Sequence, residues 1–412
     1  PAPAALASRG ARSTRRAQRC SAASDCASRV AGLQNEGAYA VLAAAQALEA
    51  QGRDVIHLEI GQPAYPTPEH VVAAGRAALE GGQTKYSAPA GTPALKESIA
   101  AHVSQTRGVA VEAVEVVVGP GAKPGILAAM MALVEPGDEV IYPDPGFPSY
   151  SATVDLVGGR HRPVPLTADG RGFDMDALDA TISDSTRLVI VNSPGNPTGG
   201  VMPAEDVRRL CELAKRHDVW VLTDEIYSRL VYEEGEEVCL SPLSVDGMQE
   251  RTILVDGFSK TYCMTGWRLG WAIAPPALAA RMELFCVHAW GCTASFTQAA
   301  GVMALEGPQD SVDEMREEYR RRRDFVVAAL NGLPGVSCPT PEGAFYAFPN
   351  VEAIGMPSTE LASLILQEAG VALLPGTDFG AHGEGRLRLS YVSSMADLEE
   401  GVSRIDKFLT SL

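Results

Sequence analysis

Lysine is scarce in this chain of 412 residues, occurring only at Lys85, Lys96, Lys123, Lys215, Lys260 and Lys407. No apolar run reaches the roughly 18 residues that would cross a bilayer, which argues against a membrane protein. The eight cysteines contain no C-x-x-C and no tight His/Cys grouping. That spacing suits reduced intracellular thiols and offers no metal site. No G-x-x-x-x-G-K-[ST] occurs, so the phosphate loop of the nucleotide triphosphatases is missing. Positive charge is also in deficit: 34 basic against 51 acidic residues give a net charge of −17. Such a chain repels nucleic acid, and any acidic ligand must be met by local cations.

What is present describes a globular protein, with 46% hydrophobic and 21% charged residues. At roughly 150 residues per domain, the length suggests two or three. Residues 1–29 differ in kind, carrying six arginines among Ala and Ser with Asp25 as the only acid. They read as a transit peptide for a plastid or mitochondrion, or else as a disordered basic tail on a cytoplasmic protein.

From about Val30 helical and strand signals alternate. "AYAVLAAAQALEAQG" reads as a helix and "DVIHLEIG" as a strand. The middle then runs through strands in "VEVVVG", "DEVIYPDP", "TRLVIVNSP", "VWVLTDEIY", "RTILVDGFS" and "RLGWAIAP", with helices such as "AKPGILAAMMALV" and "AEDVRRLCELAKRHD" between them. Continuous apolar strands separated by helices are what a sheet buried on both faces requires. The expected architecture is a large α/β domain over residues 62–304, with a mostly parallel mixed sheet flanked by helices. A smaller α+β domain is expected from both chain ends, residues 30–61 and 305–412.

Ligands of such sheets lie beyond the carboxyl ends of the strands, and each of those ends carries a polar group. In "DGFSKTYCMTGWRLGW" a lone Lys260 stands among apolar, aromatic and small residues. An amine held there loses hydration, so its pKa falls and it becomes available as a base or nucleophile. "VVVGPGAKPGIL" sets Gly121, Ala122 and Lys123 between strand and helix, where free N–H groups and the helix dipole hold phosphate. Singly, each residue has a structural explanation: Asp224 as a helix cap, Asn196 as a turn residue, Arg268 as a surface ion pair. Together they fit one ligand. It has a phosphate for Gly121, Ala122, Ser259 and Arg268, a flat ring for Phe147, a ring nitrogen for Asp224, a phenolic oxygen for Asn196 and Tyr227, and a carbonyl carbon for Lys260. Pyridoxal 5′-phosphate has all of these.

At this point the chain resembles the class I/II aminotransferases of PLP fold type I, in the aspartate aminotransferase branch. The resemblance covers about residues 30–412 and is carried by "KYSAPAGTPALKESIA", "VNSPGNPTGG", "DEIY", "SKTYCMTGWRLG", "GAFYAFP" and "RLRLSY". It implies a transaminase in which Lys260, Asp224 and Tyr227 are catalytic and Arg388 receives the substrate α-carboxylate, with Gly61 and Asn196 beside it. It also implies a homodimer in which Tyr86 reaches the phosphate of the neighbouring subunit. Cys263 departs from the pattern, which has a small residue there.

The amino donor is left open by the residues. Lys123 would serve the distal carboxylate of aspartate or glutamate if its side chain turns into the pocket; otherwise it is a solvated loop lysine. "WGCTASF", residues 290–296, could instead line a roomier apolar pocket for aromatic or neutral side chains, and a β-lyase on the same scaffold would share Lys260 and Asp224.

Overall fold

Adjacent residues of the central strands face two different cores. In a computed structural model describing residues 27–33, 36–233, 235 and 238–412, Leu188 and Ile190 enter one apolar cluster while Val189 and Val191 enter another. That two-sided burial explains why "LVIV" is apolar without alternation.

Seven strands build the sheet: β1 Val116–Gly119, β2 Glu139–Asp144, β3 Arg160–Pro165, β4 Thr186–Asn192, β5 Trp220–Asp224, β6 Thr252–Gly257 and β7 Gly270–Ile273. Their order is β1-β7-β6-β5-β4-β2-β3. Pairings among β2 to β6 are parallel, and β7 runs antiparallel to both β6 and β1. The fold is thus α/β with a mostly parallel mixed sheet. Helices Ala122–Leu133, Ser149–Val157 and Pro276–Ala289 contribute buried residues to the core on one face. Helices Pro93–Arg107, Ser295–Glu306 and Ala204–Arg216 cover the other.

The ends of the chain meet. Ile56–His57 pairs in parallel with Val371–Ala372, while Leu374–Pro375 and Tyr346–Ala347 flank Leu387–Ser390 in an antiparallel three-stranded sheet. Helices Asp310–Leu330 and Met395–Ser411 pack over these with a shared core that includes Leu58, Tyr319, Phe345 and Ile405.

Some elements differ from expectation. The strand read in "DVIHLEIG" shortens to Ile56–His57. The edge strand β3 escapes a hydrophobic reading because four of its six side chains are exposed. Helix Pro93–Arg107 escapes because its sequence, PALKESIAAHVSQTR, is polar on balance. Of the described residues, 27–33 fall in a unit separate from that of 36–412. The targeting peptide expected at 1–29 lies, up to residue 26, outside the described residues. Among the described residues no helix is long and apolar enough to cross a membrane.

Candidate active site

The reversal of β7 decides where Arg268 sits. Because β7 opposes its neighbours, its first residue, Gly270, lies level with Gly119 and Gly257, the last residues of β1 and β6. Arg268 therefore arrives at the same sheet edge as the loops after β1, β2, β4, β5 and β6. Its guanidinium lies against Gly121, where an added Cβ would come within 2.5 Å of Arg268 Nη2, and donates to the carbonyls of Thr265 and Pro120. Gly121 has φ 107°, a conformation that favours glycine. Ala122 then opens helix Ala122–Leu133, and the first N–H groups of a helix are anion donors.

Asp224 closes β5 as a buried carboxylate. Its Oδ2 accepts from the Tyr150 hydroxyl at 2.8 Å and its Oδ1 from the Ile226 N–H at 3.3 Å. Burial pushes its pKa up to about 6, against the two donors, which pull it down. Among the described residues Asp224 has no ion-pair partner, so its charge is available to a cationic ring nitrogen. One strand over, Asn192 donates to the Asp224 carbonyl at 2.9 Å, and the N–H of Asn196 donates to Asn192 Oδ1 at 2.8 Å.

Lys260 follows β6 and the buried Ser259. Its ammonium donates to the Gly61 carbonyl at 2.5 Å, with the rings of Phe345 and Tyr227 centred 5.7 and 6.0 Å away. Among the described residues no carboxylate is paired with it. Burial lowers its pKa to about 8, helped by the positive charges of Arg388 and Arg268 and opposed by Asp224.

Arg388, on the strand Leu387–Ser390, is buried between the rings of Tyr346 and Phe379, centred 4.5 and 4.9 Å from the guanidinium carbon. Nη1 donates to Asn196 Oδ1 at 3.0 Å, Nη2 donates to the Glu59 carbonyl, and Nε has no protein partner. A guanidinium so placed keeps donors for an incoming carboxylate. Tyr227 shares a 2.8 Å hydrogen bond with Tyr346, and Phe147 meets Tyr150 edge-on at 5.6 Å.

The expected residues other than Tyr86 thus gather at one edge, where Lys123 is already partnered. Tyr86 stands away from the chain, 97% exposed. Lys123 is neither a simple solvated lysine nor an unpaired cation: its ammonium pairs with Glu36 and lies 5.1 Å from the centre of the Phe147 ring. Trp290 and Phe296 line an open groove of about 800 Å³ together with Arg268, Tyr65 and Trp267. Cys263 adopts φ 52° and places its sulfur 3.4 Å from that of Met315. Burial raises its thiol to about 12, which makes it a packing residue rather than a reactive one. Sequence reasoning passed over Tyr150, Asn192, Tyr346 and Glu59. Tyr150 had a signal, since it follows Phe147 by three residues and stands in the first turn of helix Ser149–Val157.

The fit to pyridoxal 5′-phosphate is chemical. The edge holds an unpaired buried carboxylate, a depressed amine, an anion-ready helix start with an arginine against it, and an arginine with an orphaned N–H. Among the described residues no cluster could hold a metal.

Comparison with known proteins agrees. The chain is 40% identical over 393 residues to an aspartate aminotransferase of Rhizobium meliloti, covering 92% of this chain and 95% of that one. The solved aspartate aminotransferase of Thermus thermophilus with maleate superposes with a TM-score of 0.88 at 35% identity, over 93% of this chain and 99% of that one. The aromatic aminotransferase of Pyrococcus horikoshii superposes at 0.84 and 38%, over 89% and 99%. Residues 53–405 match the aminotransferase class I and II family, and the chain therefore belongs to that family, as a pyridoxal-phosphate-dependent transaminase of fold type I.

Proposed function

We propose that the protein transfers the amino group of an acidic L-amino acid, aspartate foremost, to a 2-oxo acid such as 2-oxoglutarate, and does so as a homodimer. The observation that carries the donor class is Lys123, whose ammonium stands over Phe147 at the edge where Lys260 and Asp224 end. Curated relatives named as aspartate aminotransferases support it.

In this reading Gly121, Ala122, Ser259 and Arg268 would hold the cofactor phosphate, Phe147 would cover one ring face, Asp224 would hold the ring nitrogen, and Asn196 and Tyr227 would hold the ring oxygen. The bound cofactor supplies a carbonyl that takes up the amino group and a ring that accepts an electron pair. Everything else is work for the protein. Arg388 binds the α-carboxylate through the donors not used on Asn196 and Glu59, which fixes the α-carbon relative to Lys260. Lys260, neutral in part near physiological pH, removes the α-proton and returns it on the cofactor side. Lys123 meets the distal carboxylate. Tyr86 of the partner subunit would complete the phosphate site through the groove beside Arg268, which makes the dimer the working unit.

A panel of amino donors against 2-oxoglutarate tests this. Aspartate or glutamate should lead, and Lys123→Met should depress those two by about 10- to 150-fold, the worth of a hydrogen bond to a charged group, while alanine and phenylalanine hardly change. An equal loss for every donor would mean damage to the phosphate cradle and would remove the acidic assignment.

A further inference from the structure

The cation reserved above for the substrate is already occupied. Lys123 pairs with Glu36, which lies 87 positions earlier in the chain. Glu36 stands at the N-cap of helix Gly37–Glu49, yet its side chain caps nothing there. Acids at a helix start ordinarily gain from that helix's own N–H groups. This one turns away, and its Oε1 accepts from Lys123 and from the Ser149 hydroxyl at 3.3 Å.

The turn carrying Glu36 is fitted at its other end too. A Cβ on Gly37 would fall 1.7 Å from Asp378 Oδ2, so a larger residue there would push the Asp378 carboxylate aside. Asp378 lies within electrostatic reach of Arg388. Ala38 and Val41 of the same helix pack on the cluster containing Phe379, the residue whose ring stacks on Arg388. Glu36 and Gly37 therefore stretch from Lys123 toward the surroundings of Arg388, the two cations that a dicarboxylic substrate would bridge.

We infer that Glu36 is an internal stand-in for the distal carboxylate of acidic substrates: it occupies Lys123 until the second carboxylate of the substrate displaces it. The inference rests on Lys123 being the distal-carboxylate partner. One ammonium cannot serve two carboxylates at full strength, and two carboxylates brought together repel, so dicarboxylic ligands bind in competition with Glu36 while monocarboxylic ligands do not meet it. Glu36 and Lys123 are both partly exposed, at 30% and 49%. An ion pair so accessible holds weakly, and the competition is worth about two- to fivefold in affinity.

The test is equilibrium binding to the cofactor-loaded protein, read as the change in cofactor absorbance, with maleate as the dicarboxylate and butyrate as the monocarboxylate. Glu36→Gln should tighten maleate about two- to fivefold and leave butyrate unchanged. Unchanged or weaker maleate binding, or equal tightening of both, overturns the inference. Lys123→Met separates it from the reading beneath it. If Lys123→Met weakens maleate but Glu36→Gln does nothing, only the role of Glu36 falls. If Lys123→Met leaves maleate unaffected, both fall. In the Lys123→Met background the Glu36→Gln change should add nothing, and a persisting gain would show that Glu36 acts elsewhere.

Discussion

The amine of Lys260 donates to the carbonyl oxygen of Gly61 at 2.5 Å, across 199 positions of the chain. A carbonyl is a poor counter-ion for an ammonium. The pairing holds the side chain in place while leaving its charge uncompensated, and a lysine in that condition gives up its proton early.

The pH at which Lys260 becomes reactive follows directly. Below about pH 8 the amine is protonated and inert; above it, the amine is neutral and nucleophilic. In the cofactor-free protein, acylation of Lys260 followed by peptide mass spectrometry should show a midpoint near 8, well below the ordinary lysine value of 10.5. The same shift carries a stability sign. Because the folded pKa lies below the unfolded one, burial of the charged form destabilises most below pH 8 and relents as pH rises toward 10.5. A midpoint for Lys260 near 10.5 would contradict both.

Lys260→Ala should abolish turnover and leave cofactor bound without a covalent link, through the phosphate cradle and Asp224. A positioned acid/base contributes about 10² to 10⁴-fold, so transamination surviving above about a thousandth of the original rate would show that another group moves the proton.

Tyr150→Phe tests the support of Asp224. Losing that donor strands a buried carboxylate oxygen and drives the Asp224 pKa further above about 6. Cofactor affinity at pH 7 should fall about tenfold or more, the scale of a hydrogen bond to a charged group. The loss should shrink at pH 8, where the carboxylate is more fully ionised. Fluorescence titration at both pH values checks it, and equal affinity to the parent protein at both would exclude Tyr150 from the site.

Tyr86 gives a test of assembly. If Tyr86, 97% exposed in one chain, completes the neighbour's site as proposed, activity depends on protein concentration. Dilution to monomers, followed by sedimentation, should lose activity and bound cofactor together; a fully active monomer would break the link.

Much of this was legible in the sequence because β2 and β4 to β6 are largely apolar runs that each end in a polar signature, and β7 is an apolar run that Arg268 precedes. Lys260 stood out as a charge in an apolar stretch, and Asp224 as an acid at a strand end. The remainder depended on contacts that local sequence cannot express. Tyr150 acts through Asp224, 74 residues away, and no spacing rule joins them. Glu36 lies just before a helix, and nothing local in the sequence tells that the fold turns it onto Lys123. The edge strand β3 has one buried side chain, Val164, and so carried no periodicity to find.

The pairing of Ile56–His57 with Val371–Ala372 has a bearing on how the chain is made. A ribosome releases the N-terminal strand some three hundred residues before its partner exists, whereas every strand of the seven-stranded sheet is complete by Ile273. During synthesis, where segments fold as they emerge, the sheet with Asp224 and Lys260 can consolidate while Gly61 and the helix Gly37–Glu49 still lack their seat. Nascent chains stalled shortly after residue 306 should then resist protease across 116–273 and remain cleavable before 61. Lys260 would gain its carbonyl partner last, so that the end of translation, rather than the assembly of the sheet, is the moment at which a chain becomes ready to join its partner.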